Sequence, residues 1–400
     1  DTVVSVADSW PIRHEFFPTG APWDSIWSVP KGDTADIPYW SEFVGVADQN
    51  FVMRYSDYTN RSISNHIPQG LDVIQTSHAW GSPPFDEMIV YKFYIINSQQ
   101  NHLEDVYVAY WLDANIGYRS EGWDFALDDL SRYYPDYNLV AGLDTPGGVD
   151  GMAYGPIGIK MYPPENSVTD SLTWTWNWYP NENVPSQDPL RYEHISEGTI
   201  MENQQRATGT VFYWSVGPYD MMPGDTLVFT VGEILGEGEE GMLRNTEVLD
   251  WLVQQEFNVP SPPPPPPLHL ETESHTVKLD WKWREGDKEK FGFDDPETYQ
   301  DPNRADSVDS PFEGYRVYKS TESVTGPWTL IAEYDVANND YGENTGLRYT
   351  YSDEGLLDNF DYYYTVTTFS KKDTVANFPS QESSLSASAV RIVPGPEPPE

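Results

Sequence analysis

Residues 88–112 read MIVYKFYIINSQQNHLEDVYVAYWL. Ile89, Tyr91, Phe93 and Ile95 alternate along the first half, and Val106, Val108, Tyr110 and Leu112 along the second. A period of two puts each set on one face of a β-strand. The polar stretch Asn97–His102 supplies turn residues between them, so the pair predicts a β-hairpin. Outward from it, strand patterns recur at 43–47, 51–56, 71–79, 138–143, 151–161, 172–178, 209–217 and 225–235. Gly, Pro and Asn punctuate these segments, which predicts an all-β fold of sandwich type. One short helix is expected at about 241–256, near the end of this first domain. Leu243, Val248, Leu249, Leu252 and Val253 give it a partly apolar face, and Pro260 lies beyond its end.

Six prolines, Pro262–Pro267, follow Val259-Pro260-Ser261. Such a run lacks backbone donors and favours extended polyproline II, so 259–267 is expected to be a semi-rigid linker. It divides a β-sandwich domain at 1–258 from a second at 268–393, and a Pro-rich tail, 394–400, follows. The second region is also strand-rich, through Val277, Leu279, Trp281 and Trp283, then Tyr315 and Val317, Trp328 and Leu330, Tyr349 and Tyr351, and Tyr362, Tyr364 and Val366. With Asp1 in first place and no signal peptide, the chain reads as a processed mature form or a segment of a longer one.

The 400 residues carry 64 Asp and Glu against 23 Lys and Arg, a net charge of −41. So acidic a surface repels phosphate backbones, which argues against nucleic acid as a partner. No apolar run reaches the ~18–20 residues of a membrane span. The lack of Cys removes disulfides, thiolate zinc sites and cysteine nucleophiles. Aromatics make up 14% of the chain, enough to build cores, so the acidity does not signal disorder.

None of the seven His stands in a His-x-x-x-His arrangement, and neither a Gly-x-Ser-x-Gly elbow nor a P-loop is present. No enzyme is therefore expected. Calcium takes several oxygen ligands from flexible loops. Two acidic loops offer them: Asp113, Asn115, Asp124 and Asp128 in the first region, and Asp294, Asp295 and Asp301 in the second. Ordinary solvated acids in Asx turns are the plainer alternative for both. Trp174, Trp176 and Trp178 share one strand face. Exposed, they would form a stacking platform for sugar rings; buried, they are core.

Region 268–393 resembles a fibronectin type III domain. Leu279-Asp280-Trp281 is similar to its B-strand motif and Gly314-Tyr315-Arg316-Val317-Tyr318 to its C strand. Leu356, Tyr362, Tyr364 and Val366 resemble its tyrosine corner and F strand. The resemblance implies a spacer or recognition module whose corner hydroxyl bonds to upstream backbone. The connection Arg284–Pro311 is far longer than the family's turn there. Most of 1–250 resembles an uncharacterised β-rich domain of secreted or surface proteins from Bacteroidota-type bacteria. The similar stretches include Gly20-Ala21-Pro22-Trp23, Gly45-Val46-Ala47-Asp48-Gln49, Glu87–Asn97, Val106–Asp113 and Gly217-Pro218-Tyr219. That resemblance implies an extracellular or cell-surface location and a non-catalytic role. Asp-Ser/Thr-aliphatic triplets resemble the O-glycosylation sequon of such proteins. They would place glycans on Thr2, Ser25, Thr34, Ser171, Thr226, Ser307 and Thr374.

These readings predict a non-catalytic structural or adhesive protein that self-assembles into a filament, layer or matrix, or contacts other surface proteins. Segments 1–9 and 386–393 are its candidate pairing edges. The alternative is a carbohydrate-binding accessory region of a secreted glycan- or protein-degrading enzyme, with polysaccharide as partner.

Overall fold

The computed structural model describes every residue except 1–24, 29–33, 38–39, 58–68, 82, 118–126, 147–152, 154, 165–171, 181–184, 186, 293, 309, 376–377 and 396–400. The chain is all-β, built from antiparallel sheets with few helices. Apart from short stretches, one compact unit ends at Gln254 and a second begins at Gln255.

The first unit contains β1 (Ser25–Ser28), β2 (Thr34–Ile37), β3 (Trp40–Val44), β4 (Gln49–Ser56), β5 (Leu71–Ala79), β6 (Met88–Asn97) and β7 (Leu103–Ala114). It continues through β8 (Asp129–Tyr134), β9 (Leu139–Asp144), β10 (Ile157–Tyr162), β11 (Thr173–Pro180), α1 (Asp188–Ser196), β12 (Thr210–Met221), β13 (Thr226–Ile234) and α2 (Gly238–Gln254). An eight-stranded sheet, β1-β4-β5-β6-β13-β10-β9-β8, packs on a three-stranded sheet, β11-β12-β7. Their shared interior holds Ile159, Trp176, Phe212, Trp214, Phe229 and Val231.

The hairpin expected from residues 88–112 does not form. β6 pairs with β5 and β13 in the large sheet, and β7 pairs with β12 in the small one. The reason lies on the second face of β6. Met88 and Val90 are buried there, and Tyr94 and Ile96 pack with Trp40, Phe43, Val52 and Ile74. A strand apolar on both faces belongs inside a covered sheet. The link after β6 therefore crosses between sheets, beside the link from β12 to β13. Asn97 ties the two crossings: its Nδ2 donates to Met221 O and to Asn101 O, each at 2.9 Å, and its N–H donates to Asp225 O at 2.9 Å. Glu233 bridges the sheets, accepting from Tyr110 at 2.6 Å and from Tyr91 at 3.3 Å.

α2 covers the outer face of the large sheet with Met242, Thr246, Leu249 and Leu252, a stripe shifted from the expected one. Glycine lets it approach: a Cβ on Gly232 would stand 2.2 Å from Leu249 Cδ2. Asp250 anchors the helix to β10, accepting from Lys160 Nζ at 2.8 Å and from Tyr162 at 2.7 Å. α1 was not legible, because none of its residues is buried and it carries no strong apolar stripe.

Residues 199–208 cover two sheet edges. Trp176 N–H donates to Thr199 O at 2.9 Å, and Met201 N–H to Trp176 O at 3.0 Å. At β8, Gln204 Oε1 accepts from Ser131 N–H at 2.9 Å and Asn203 Oδ1 from Tyr133 N–H at 2.8 Å. Covered edges do not recruit foreign strands. β7 has one strand partner, β12, among the described residues.

The second unit contains β14 (His269–Glu273), β15 (Thr276–Asp280), α3 (Asp287–Phe291), β16 (Phe312–Ser320), β17 (Thr329–Asp335), β18 (Thr350–Glu354), β19 (Tyr362–Ser370) and β20 (Val390–Ile392). Its sheets are β14-β15-β18 and β17-β16-β19-β20, closed over Leu279, Trp281, Tyr315, Val317, Tyr364 and Val366. The Tyr362 hydroxyl accepts from Leu357 N–H at 3.0 Å, the corner bond that the resemblance implies. The Pro-rich stretch read as a linker is held on this unit. Thr368 Oγ1 donates to Pro263 O at 2.6 Å, Asn303 Nδ2 donates to Val259 O at 3.2 Å, and Asp301 accepts from Ser261 N–H. A run without donors still offers carbonyls, and the Thr368 hydroxyl lies within reach of two, Pro263 O at 2.6 Å and Pro264 O at 3.0 Å.

Candidate functional site

The indole face that the sequence leaves as either sugar platform or core faces the core. Trp176 is fully buried, and Trp174 and Trp178 pack against the same cluster. Trp174 stacks on Trp214 with centroids 4.5 Å apart, and Trp178 Nε1 donates to Glu202 O at 2.9 Å. A small sheet needs large side chains to close its interior, and these indoles supply them. They form no open platform.

The opposite face of this sheet meets α1. Thr175, Asn177 and Ser215 project there and are buried. They hold the helix by hydrogen bonds rather than apolar packing. Asn177 Nδ2 donates to His194 O at 2.8 Å, Ser215 Oγ to Ile195 O at 2.6 Å, and Gly198 N–H to Thr175 Oγ1 at 2.8 Å. Two of these bonds satisfy carbonyls at the end of α1 that the helix itself leaves unpaired.

Toward β7 the same face turns aromatic. The Tyr213 ring sits between Trp111, at 5.6 Å, and Tyr179, at 5.7 Å. Trp111 is 45% exposed. The Arg191 guanidinium of α1 lies 5.7 Å over the Trp111 ring, and its Nε donates to Pro185 O at 2.8 Å. Tyr192, 46% exposed, meets Tyr107 edge to face at 5.9 Å and donates its hydroxyl to Asp105 O at 2.8 Å. Burial pushes the Tyr213 hydroxyl up, against the opposing charge of Arg191, so it keeps its proton at neutral pH. The result is a half-open indole, braced by Tyr213 on one side and with the Arg191 cation over its ring. Such a surface stacks on flat C–H faces and exchanges hydrogen bonds with polar rims.

The calcium candidates that lie among the described residues are held as follows. Asp113 and Asn115 are exposed, and Asn115 Nδ2 donates to Asp113 O at 3.3 Å. Asp128 is buried, and Asp124 lies outside the described residues. Nearby, Asp129 accepts from Ile116 N–H at 3.2 Å and Asp144 from Ala153 N–H. In the second unit Asp294 pairs with Lys288 Nζ at 2.7 Å, and Asp295 accepts from Glu297 N–H at 3.0 Å. Asp301 accepts from Asn303 N–H at 2.9 Å as well as from Ser261. Among the described residues no three His, Asp or Glu gather into a cage.

Of the glycosylation candidates, Thr34, Thr226, Ser307 and Thr374 are exposed. Ser25 opens β1, and Thr2 and Ser171 lie outside the described residues, as does segment 1–9. Among the described residues no helix is long and apolar enough to cross a membrane.

No protein-family model matches the chain, and no curated protein matches it in sequence. Among solved structures it is similar to a human fibronectin type III domain, with 14% identity over 36% of this chain and 77% of that one, at a TM-score of 0.18. It is also similar to a beta-1,2-glucanase from Parabacteroides distasonis, with 9% identity over 82% of this chain and 33% of the enzyme, at a TM-score of 0.19. A polysaccharide lyase shows 7% identity over 82% and 34% of the two chains, at a TM-score of 0.26. The chain spans about a third of the length of each enzyme.

Proposed function

We propose that this chain is a non-catalytic adhesive protein of the cell surface or extracellular space, and that it holds polysaccharide on the outer face of its three-stranded sheet. The supporting observation is Trp111: nearly half of a large apolar ring stands in water, fixed between Tyr213 and Arg191. A ring already held in place loses little side-chain entropy when a sugar stacks on it. Retention of the wild-type chain on insoluble glycans, with no release of reducing ends, is the expected behaviour. Trp111→Ala should keep the fold, because the ring is half exposed, and lose about tenfold or more in affinity, equivalent to ~1.4 kcal/mol. Absence of retention on every glycan tried removes the reading.

Self-association is a second reading, and β7 favours it. This strand of 12 residues pairs with β12 alone among the described residues. An open edge can add a strand from another copy through backbone hydrogen bonds. Sedimentation and electron microscopy at high concentration should then show ordered oligomers. A monodisperse monomer across the accessible range counts against it.

A further inference from the structure

Building on the polysaccharide reading, we infer that the ligand is a neutral, extended glycan chain lying lengthwise along β7. Tyr107, Ala109 and Trp111 alternate, so they share the outer face of that strand. At ~3.4 Å per residue, Tyr107 and Trp111 stand about 14 Å apart along it. Ala109 lies between them and is exposed, so the floor of this strip carries only a methyl group. Arg191 and Tyr192 of α1 reach the two aromatic ends, through the contact over Trp111 and the edge contact with Tyr107. The helix thus lines one long side. The other side is the sheet edge, which carries no further strand among the described residues. A shallow strip with a stacking ring at each end suits a linear chain of several sugars. A compact ligand calls instead for a cavity that buries most of its surface.

Charge selects the class of chain. Arg191 is already engaged by Asp188 at 3.8 Å. Asp113 on β7 and Glu193 on α1 are exposed on the same two elements. The whole chain adds a net charge of −41. A uronate or sulfate polymer would approach against this field, and a neutral polymer would not. The carboxylates accept hydrogen bonds from sugar hydroxyls, and bonds to a charged acceptor are the stronger kind.

The test uses the full chain in titration calorimetry and affinity electrophoresis. Probes are linear neutral β-glucan, xylan and mannan oligosaccharides of increasing length, with polygalacturonate and a sulfated galactan as charged counterparts. Affinity for at least one neutral series should rise with length and change little with salt, and the charged polymers should bind at least tenfold more weakly. Ala109→Tyr fills the floor while leaving Trp111 in place, and should weaken the longer oligosaccharides about tenfold. Binding of the charged polymers in preference to the neutral ones overturns this inference and leaves the polysaccharide reading standing. Equal affinity for mono- and oligosaccharides overturns the lengthwise placement in the same way. Absence of binding to any glycan overturns both.

Discussion

Arg304→Ala should destabilise the second unit by about 3–5 kcal/mol, the cost of leaving a buried charge without its partner. The Arg304 side chain is 1% exposed and that of Asp306 is 8% exposed. The pair is bidentate, with Nε to Oδ1 at 3.0 Å and Nη2 to Oδ2 at 2.7 Å. The same guanidinium donates from Nη1 to Lys371 O at 2.8 Å and from Nη2 to Lys372 O at 3.1 Å. It therefore staples the long 284–311 connection to the segment after β19. Removing it strands one carboxylate and two carbonyls. The double variant Arg304→Met with Asp306→Leu should recover only part of the loss, because the carbonyls at 371 and 372 remain unpaired. Urea midpoints of the three proteins separate these contributions. Full recovery in the double variant would show that the charge alone mattered. The Arg304 hydrogen bonds also hold the Asp306 carboxyl below its usual range. A depressed folded value means that this stabilisation is present above the unfolded value of about 3.9 and is lost as pH falls through the folded one.

The acids of this loop show what spacing leaves open. From sequence, Asp294, Asp295 and Asp301 could be calcium ligands or ordinary loop acids, and Asp306 is one more acid beside them. Each is claimed by Lys288, a backbone N–H or Arg304. The claimants are set by chain reversals that spacing does not encode, most plainly the carbonyls of Lys371 and Lys372. Strand existence was far easier to read, because alternation is local: the segments expected at 51–56, 71–79 and 225–235 appear as β4, β5 and β13. Pairing was not local. The crossing between β6 and β7 has the polar composition of a hairpin turn, and only the second apolar face of β6 argued against one.

The aromatic site was half legible. The alternation that sends Val106, Val108, Tyr110 and Leu112 inward sends Tyr107 and Trp111 outward. The three-indole stripe of β11 is the more conspicuous pattern in the sequence, and its density is what a core strand needs. The placement of Arg191 above Trp111 could not be read, since polar bonds from Asn177 and Ser215 fix α1 where apolar periodicity would give no helix position.

Mild acid should weaken the first unit through one side chain. His78 on β5 is 3% exposed. Its Nδ1 lies 2.8 Å from Asn50 Oδ1, and its Nε2 lies 2.9 Å from Thr76 Oγ1. Asn50 Oδ1 is an acceptor, because it also receives the N–H groups of Val46 and Ala47 at 3.2 and 3.0 Å. Nδ1 therefore carries the proton, and Nε2 accepts from the threonine hydroxyl. A second proton would place a charge in a site closed to water and take away the acceptor that Thr76 uses. Burial, with a smaller effect of the Lys92 charge, pushes the histidine down from 6.5 to about 3. Between those values the unfolded chain binds a proton that the folded chain refuses. Stability is thus complete above pH 6.5 and falls by about 1.4 kcal/mol for each pH unit below it. From pH 7.5 to about pH 4.5 the expected loss is ~2–3 kcal/mol, before most carboxylates titrate. His78→Gln keeps a donor and an acceptor without a titrating group, so its urea midpoint should be lower at pH 7.5 and much flatter toward acid. Parallel decline of the two proteins would assign the acid sensitivity to other groups and remove the neutral, buried histidine as its cause.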